Sequence, residues 1–164
     1  MVNKMFEIKQ IGIIRTPYTE LTNMPIQPNG AKGITSEIHI NKKYIEGLTD
    51  LIGFSHIFLL YILDKATIEK TKVVPFMDTV ERGIFATRSP LRPNHIGLSV
   101  VKIVSITGNK VVVSGADMLD GTPLIDIKPY IKNVDSIDDA VSGWIKLTKT
   151  QIGNKRSDNR FIDK

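Results

Sequence analysis

Two segments of the chain combine charged side chains with residues that stiffen or relax the backbone. The first, residues 83–97, reads GIFATRSPLRPNHIG and places Arg88, Arg92 and Asn94 among two prolines and two glycines. Proline fixes the backbone and glycine allows close approach to a ligand, so this composition is typical of a preorganised binding loop. Arg82 precedes the segment, which contains no acid. Because guanidinium groups bind carboxylates and phosphates through paired hydrogen bonds, we expect an anionic ligand, unless the fold brings acids to these arginines.

The second segment, residues 117–130, reads DMLDGTPLIDIKPY and holds three acids around a turn-forming Asp-Gly-Thr-Pro sequence. A carboxylate beside such a turn accepts hydrogen bonds from a ribose or an amine. Asp126 is followed by Lys128 and Tyr130, and by themselves these residues indicate a ligand site without specifying the ligand. The alternative is that Asp126 pairs with Lys128 or an arginine and only stabilises the loop.

Several common kinds of site have no match in the sequence. There is no G-x-G-x-x-G or P-loop motif, which argues against a Rossmann fold, and no G-x-S-x-G nucleophile elbow. The chain has no cysteine, and its three histidines lack metal-binding spacing, so we expect no metal. Neither hydrolysis by a serine nucleophile nor metal chemistry is therefore predicted.

Most apolar segments are short, rich in Ile and Val and separated by turn-forming residues, which is typical of strands. The predicted strands cover residues 7–15, 36–40, 56–63, 83–87, 98–106, 111–114, 124–127 and 144–148. A polar Gly-Asn turn predicts a β-hairpin across residues 98–114. Since many short strands must either pack as a sandwich or close on themselves, we predict a mainly β, single-sheet barrel with a few short helices.

The predicted helices are short and cover residues 41–47 and 136–141. We divide the chain into a barrel domain, residues 1–148, and a basic, flexible tail, residues 149–164. The tail is rich in Lys and Arg, and it is either a solvated end or an arm that contacts RNA. In both cases its removal is expected to leave the ligand site intact.

The bulk properties favour a soluble, cytoplasmic protein that is not bound to a membrane. The N-terminus lacks the apolar stretch of a secretory signal, and the longest apolar run, residues 57–63, is too short to cross a bilayer. Consecutive apolar positions in this run predict a strand with both faces covered. A second copy of the chain is one way to cover the outer face. The net charge of +5 is compatible with a nucleic-acid partner.

Together these motifs resemble the TsaA-like family of tRNA methyltransferases, also called the TrmO family. The resemblance extends from residues 10–12 (QIG) through residues 47–48 (GL) and 55–56 (SH) to the two loop segments. It implies a homodimeric β-barrel that binds S-adenosylmethionine without a Rossmann fold. It also implies methylation of the exocyclic amine of threonylcarbamoyl-adenosine next to the tRNA anticodon. The alternatives are a non-catalytic module that binds S-adenosylmethionine or RNA, and a methyltransferase for another RNA or a small molecule.

The resemblance also implies roles for individual residues. The cofactor-contacting residues would be Pro25, Ile26, Gln27, Asp64, Lys65, Arg88, Leu98, Asp117, Met118, Leu119 and Asp120. The substrate would be bound by Arg92, Asn94 and Lys128, with Asp126 and Tyr130 as catalytic residues. Asp126 would accept a hydrogen bond from the amine and Tyr130 would stack on the base. Two departures from the family pattern are His95 in place of proline and the pair Asp64 and Lys65.

Overall fold

The strands of the protein close into one antiparallel barrel. The computed structural model describes residues 4–161. Its strands are β1 (Gly12–Arg15), β2 (Thr35–Ile40), β3 (His56–Ile62), β4 (Lys72–Val73), β5 (Arg82–Gly83), β6 (Ile96–Thr107), β7 (Lys110–Ser114) and β8 (Thr122–Pro129). The barrel has the order β1-β2-β7-β6-β3-β8 and closes by the pairing of β1 with β8, while β4 and β5 form a separate ladder. The predicted mainly β barrel is confirmed, and closure removes the exposed edges of the sheet.

Alternating side chains fill the barrel interior. On β3, Ile57, Leu59 and Tyr61 point inward and are buried, whereas Phe58 and Leu60 lie on the outer face and stay partly exposed. The strict alternation follows from the two-residue period of a strand. The prediction that both faces of this strand are covered is therefore correct for the inner face and only partly correct for the outer face of a single chain.

The hairpin and the first short helix agree with the predictions. The strands β6 and β7 pair from Lys102 with Ser114 to Thr107 with Lys110, which confirms the hairpin at its turn. A 3-10 helix occupies Lys42–Leu48, where the sequence predicted a short helix. β1 starts only at Gly12, so the strand predicted for residues 7–15 is shorter than expected.

Three predicted elements are wrong. Instead of a strand at residues 83–87, β5 ends at once in a 3-10 turn, Ile84–Ala86, because Ile84 is buried in a second small apolar cluster beside the barrel. The segment 144–148 forms no strand, and the indole Nε1 of Trp144 donates to the Ala86 carbonyl. Helix α1 covers Lys132–Asp135 rather than residues 136–141, since the Asp135 carboxylate accepts from the Ile131 amide at the start of that turn.

The C-terminal segment, residues 149–161, differs from the expected loose tail. Helix α2 (Lys149–Asn154) starts at Thr148, whose hydroxyl accepts from the Gln151 amide while the Gln151 side chain accepts from the Thr148 amide. This capping box satisfies two otherwise unpaired backbone groups and explains why a polar sequence forms a helix here. The helix packs against the 3-10 turn Pro28–Ala31. The remainder of the predicted tail, residues 162–164, lies outside the described residues.

One glycine on β6 shapes the open end of the barrel. Gly97 pairs with Tyr61 on β3, and a Cβ atom at Gly97 would overlap the Tyr61 ring. Only glycine leaves room for the ring to lie flat across this end of the interior. The Tyr61 hydroxyl is thereby directed towards the base of the cavity described next.

Candidate functional site

A cavity of about 290 Å³ lies at one end of the barrel. Its floor is the barrel interior, and its walls come from loops that are far apart in the sequence. Among the residues predicted for the site, those lining it are Pro25, Ile26, Gln27, Asp64, Lys65, Arg88, Arg92, Leu98, Asp117, Met118 and Leu119. Apolar side chains make up much of the remaining wall: Leu21, Met24, Leu63, Phe76, Met77 and Phe161. A cavity of this kind suits a small organic ligand that carries a few polar groups.

Three polar side chains form a chain of hydrogen bonds at the floor. Ser99 Oγ donates to Asp117 Oδ1 at 2.6 Å, and Tyr61 Oη lies 3.0 Å from Ser99 Oγ. Since the serine hydroxyl has one hydrogen and gives it to the carboxylate, the tyrosine must donate to the serine. Asp117 itself lines the cavity. Strands β3 and β6 thus hold the orientation of a carboxylate on a neighbouring loop.

The enclosure of Asp117 changes its acidity. Burial raises the pKa of the Asp117 carboxyl to about 6, while the hydrogen bond from Ser99 and the charge of Arg88 act in the opposite direction. Burial also raises the pKa of Tyr61, which therefore stays protonated as the donor of the chain. Among the described residues, no cation forms an ion pair with Asp117. The floor of the cavity therefore presents a carboxylate whose remaining acceptor capacity suits a hydroxyl or an amine.

The rim carries a cation that is also without an ion pair within residues 4–161. Arg88 Nη1 donates to Gln27 Oε1 at 2.9 Å, which joins two predicted residues 61 positions apart. This neutral partner orients the guanidinium without cancelling its charge. Arg88 therefore fits the predicted role of binding an anionic group.

Arg82 and Arg92 have structural partners. Arg82 forms an ion pair with Asp78 at 2.8 Å, so the alternative of a nearby acid is correct for this residue. Arg92 lines the cavity, but its Nη2 donates to the carbonyls of Ile84 and Thr87, and its buried Nε has no partner among the described residues. Arg92 therefore braces the loop.

Comparison with known proteins decides the family. The model of the tRNA-methyltransferase O N-terminal domain matches residues 13–136. The chain belongs to the TrmO family. This confirms the resemblance stated from the motifs.

Several known proteins are similar to this chain. A probable S-adenosyl-L-methionine-binding protein of Pyrococcus abyssi is 40% identical to it over 94% of this chain and 84% of its own length. The tRNA (adenine(37)-N6)-methyltransferase of Escherichia coli is 35% identical over 85% of this chain and 63% of its own length. The crystal structure of TrmO from Pseudomonas aeruginosa superposes with a TM-score of 0.73 at 33% identity, over 86% of this chain and 63% of that one. The chain thus spans less than two thirds of these last two proteins.

Four of the predicted residues lie away from the cavity that the TrmO-family barrel forms. Asp126 Oδ2 lies 2.9 Å from Lys128 Nζ on the outer face of β8, as the alternative reading of this segment expected. The Tyr130 ring packs against Phe58 with centroids 5.5 Å apart. Asn94 occupies the left-handed region, with φ of 68°, in the turn Pro93–His95. Asp126 and Lys128 thus lie on β8 and Tyr130 directly follows it, whereas Asn94 lies in a separate turn.

Asp120, which was predicted to contact the cofactor, does not line the cavity and has structural contacts instead. Asp120 forms an ion pair with Arg15 at 3.3 Å and accepts from the Thr16 amide at 3.1 Å. It therefore holds the end of β1 to the loop that carries Asp117. Asp64 and Lys65, which depart from the TrmO-family pattern, line the rim and pair with each other at 3.0 Å.

Sequence reasoning missed several residues of the cavity. Tyr61 and Ser99 were assigned only to strands, since nothing in their local pattern distinguishes a floor position from an ordinary interior one. Ser157, Asp158 and Phe161 were assigned to a tail, yet they line the cavity. A sequence signal did exist for the last of these, because Phe161 is one of two bulky apolar residues near the end of the chain.

Two further findings concern metals and membranes. Within residues 4–161, no group of three His, Cys, Asp or Glu side chains is arranged to hold a metal ion. In the same range, no helix is long and apolar enough to span a membrane.

Proposed function

We propose that the protein binds S-adenosylmethionine in the barrel-end cavity and methylates the exocyclic amine of threonylcarbamoyl-adenosine next to the anticodon of a tRNA. The main support for this cofactor site is that Arg88 lies at the rim and Asp117 at the floor of one largely apolar cavity. The names of the Escherichia coli and mouse relatives, both tRNA (adenine(37)-N6)-methyltransferases, support the reaction.

The residues present fit the cofactor. A cation at the rim suits the carboxylate of its methionine part, and the Asp117 carboxylate at the floor suits a ribose hydroxyl. The apolar walls, with Met24 and Phe76 among them, suit an adenine ring. Residues 25–27 and 117–119 line the same cavity. Bound S-adenosylmethionine would supply an electrophilic methyl group on sulfur.

The protein's contribution to the reaction would be alignment and exclusion of water. An adenine amine is a weak nucleophile, so an acceptor for its N–H increases the electron density on nitrogen. We propose Asp126 as this acceptor and Tyr130 as the stacking residue, with Arg92, Asn94 and Lys128 as substrate contacts. The strand register supports a position of Asp126 near the cavity rim. Leu98 at the rim lies opposite Leu60 on the neighbouring strand, and Leu60 lies opposite Asp126 on the next strand.

We further propose that two chains form a homodimer through this outer face. Leu98 is 48% exposed, and the partly exposed Phe58 and Leu60 adjoin it on the same side of the sheet. A second copy would cover these apolar side chains and bring Asp126 and Tyr130 of each chain towards a cavity rim. We also propose that the protein is soluble and cytoplasmic, as expected of a tRNA-modifying enzyme.

The homodimer makes a prediction for Leu60. Leu60→Glu is expected to convert the dimer to a monomer at micromolar concentration, since it places a charge in an apolar contact. Light scattering measures the mass directly. Val104→Glu is the matched control, because Val104 is 51% exposed on another part of the barrel and should leave the mass unchanged. A wild-type protein that is already monomeric would contradict the proposal.

Transfer of a labelled methyl group to tRNA tests the activity. Wild-type protein is expected to label tRNA that carries threonylcarbamoyl-adenosine and not tRNA from cells unable to make that modification. Nucleoside mass spectrometry of tRNA from a strain that lacks the protein should show loss of the methylated nucleoside. Labelling of another RNA instead would replace the proposed acceptor.

The acceptor role of Asp126 makes a separate prediction. Asp126→Asn is expected to lower turnover at least tenfold, with little change in S-adenosylmethionine affinity, because Asp126 lies outside the cavity in its own chain. Tyr130→Ala should behave in the same way. Thermal unfolding serves as the control, since a joint loss of stability and cofactor affinity would identify a structural role through the Lys128 pair. Unchanged turnover would exclude Asp126 as the acceptor.

A non-catalytic module is the second candidate. Its support is that the Pyrococcus abyssi relative and a Methanothermobacter thermautotrophicus relative are named only as probable S-adenosyl-L-methionine-binding proteins. Binding without transfer to any RNA in the labelling experiment would favour this function.

A further inference from the structure

The C-terminal segment, residues 149–161, is hydrogen-bonded to residues 23–31, the part of the β1 to β2 loop that carries the cavity residues 25–27. The Asn23 amide donates to the Ser157 carbonyl, and the Ser157 amide donates to the Met24 carbonyl, both at 3.0 Å. The Met24 amide donates to Ser157 Oγ at 3.0 Å. Asn29 Nδ2 donates to the Lys149 carbonyl at 2.8 Å. Residues 23–31 therefore take their conformation from a partner more than a hundred positions away.

The same segment supplies part of the cavity wall. Phe161 packs on Phe76 with ring centroids 4.7 Å apart, and both rings line the cavity. Arg160 holds this corner, because its Nη1 donates to the Pro75 carbonyl at 2.7 Å and its guanidinium lies 5.2 Å from the centre of the Phe76 ring. Asp158 pairs with Arg160 at 2.7 Å and also faces the cavity.

We propose that residues 149–161 are an essential part of the cofactor site, holding residues 23–31 in their binding conformation and closing the wall with Phe161. The segment lies outside residues 13–136, the region that the TrmO domain model matches. The identity of the cofactor rests on the proposed function, whereas the docking of the two segments does not. This replaces the expectation that removing the tail leaves the ligand site intact.

The physical reason is the conformational freedom of the loop. Between β1 and β2 the chain runs through some twenty residues without a strand, and the bonds just described tie residues 23–29 of this loop to residues 149–157. When only a fraction of molecules has the loop in place, apparent affinity falls by that fraction. Loss of docking is therefore expected to weaken binding at least tenfold even if every side chain of the cavity is retained.

Gly30→Ala tests the docking without altering a cavity residue. A Cβ at Gly30 would lie 2.8 Å from the Gly153 carbonyl oxygen and 3.2 Å from the Pro25 Cβ, so the contact between the two segments must shift. Gly47→Ala is the matched control, because nothing lies near a Cβ at that position. Phe161→Ala tests the wall alone, with Lys155→Ala as its control on an exposed side chain of the same segment. All four variants are made in the full-length chain.

Two measurements are needed, hydrogen exchange on the free protein and calorimetry with S-adenosylhomocysteine. In Gly30→Ala, exchange should rise together in residues 23–31 and 149–161 while β3 and β6 keep their protection. Affinity should fall at least tenfold in Gly30→Ala and in Phe161→Ala, and both controls should match wild type. Unchanged exchange in Gly30→Ala, or raised exchange with wild-type affinity, would overturn the inference.

The two proposals fail in different ways. If wild-type protein shows no binding of S-adenosylhomocysteine at millimolar concentration, the proposed function fails, and the exchange data alone decide whether residues 149–161 organise residues 23–31. If wild type binds and Phe161→Ala binds equally well, the function stands and the role of the wall is excluded.

Discussion

Asp117→Asn is expected to stabilise the free protein near pH 8 and to weaken its binding of S-adenosylmethionine. The carboxyl has a pKa of about 6 in the folded state, above its ordinary value of 3.8, because burial penalises the charged form. A difference of this size corresponds to roughly 3 kcal/mol of folding free energy, as an order of magnitude. An uncharged amide avoids this cost, yet it loses the charged acceptor that a ribose hydroxyl would use.

The pH dependence follows from the sign of that shift. Because the folded state binds the proton more tightly than the unfolded state, the favourable contribution of Asp117 is fully present below pH 3.8 and is lost as pH rises through 6. The unfolding free energy of the variant minus that of wild type should therefore increase between pH 4 and pH 6 and then level off. Wild-type affinity for S-adenosylhomocysteine should fall as the pH is lowered through about 6, the pKa of Asp117 in the free protein, since the ionised form is the better acceptor.

Urea unfolding and calorimetry between pH 4 and pH 8 measure both effects. Asp138→Asn is the matched control, because this carboxyl is exposed and lies outside the cavity. A stability difference that does not vary with pH would show that Asp117 is not the buried acid described. An Asp117→Asn variant with wild-type affinity at pH 8 would remove Asp117 from the cofactor site.

Arg88→Ala is expected to weaken S-adenosylmethionine binding by about 1.5–3 kcal/mol, roughly ten- to a hundredfold, through loss of a charged hydrogen bond. The fold should be little affected, because the side chain's described partner is the neutral Gln27 amide. Calorimetry gives the affinity and thermal unfolding gives the stability. Arg88→Lys should recover only part of the affinity, since an ammonium group cannot form the paired contact.

The control for Arg88 is a cation outside the cavity. Lys72→Ala removes an exposed charge from β4 and should leave affinity unchanged. If both variants weaken binding equally, the effect comes from net charge rather than from a contact at the rim. Wild-type affinity in Arg88→Ala would contradict the anion-binding role.

Much of the barrel follows from local pattern. The alternation of residues 98–106 and the Gly-Asn turn predict the β6 to β7 hairpin, because a strand has a two-residue period and the turn tolerates positive φ. The stiff segment at residues 83–97 and the acidic turn at residues 117–130 both reach the cavity, through Arg88 and Asp117, and the role of each side chain stays a prediction. The hairpin is predicted correctly because periodicity and backbone restriction are properties of neighbouring residues.

The partners of those side chains were decided only by tertiary structure. Closure of the barrel places Tyr61 and Ser99 beside Asp117, and folding gives Arg82 an ion pair with Asp78 but gives Arg88 a hydrogen bond to the neutral Gln27 side chain. Likewise, docking against residues 23–31 turns a polar, basic C-terminal segment into a cavity wall. A sequence pattern records what each residue is able to bind, whereas the strand register and long-range packing determine which group it meets, and those depend on the free energy of the whole chain.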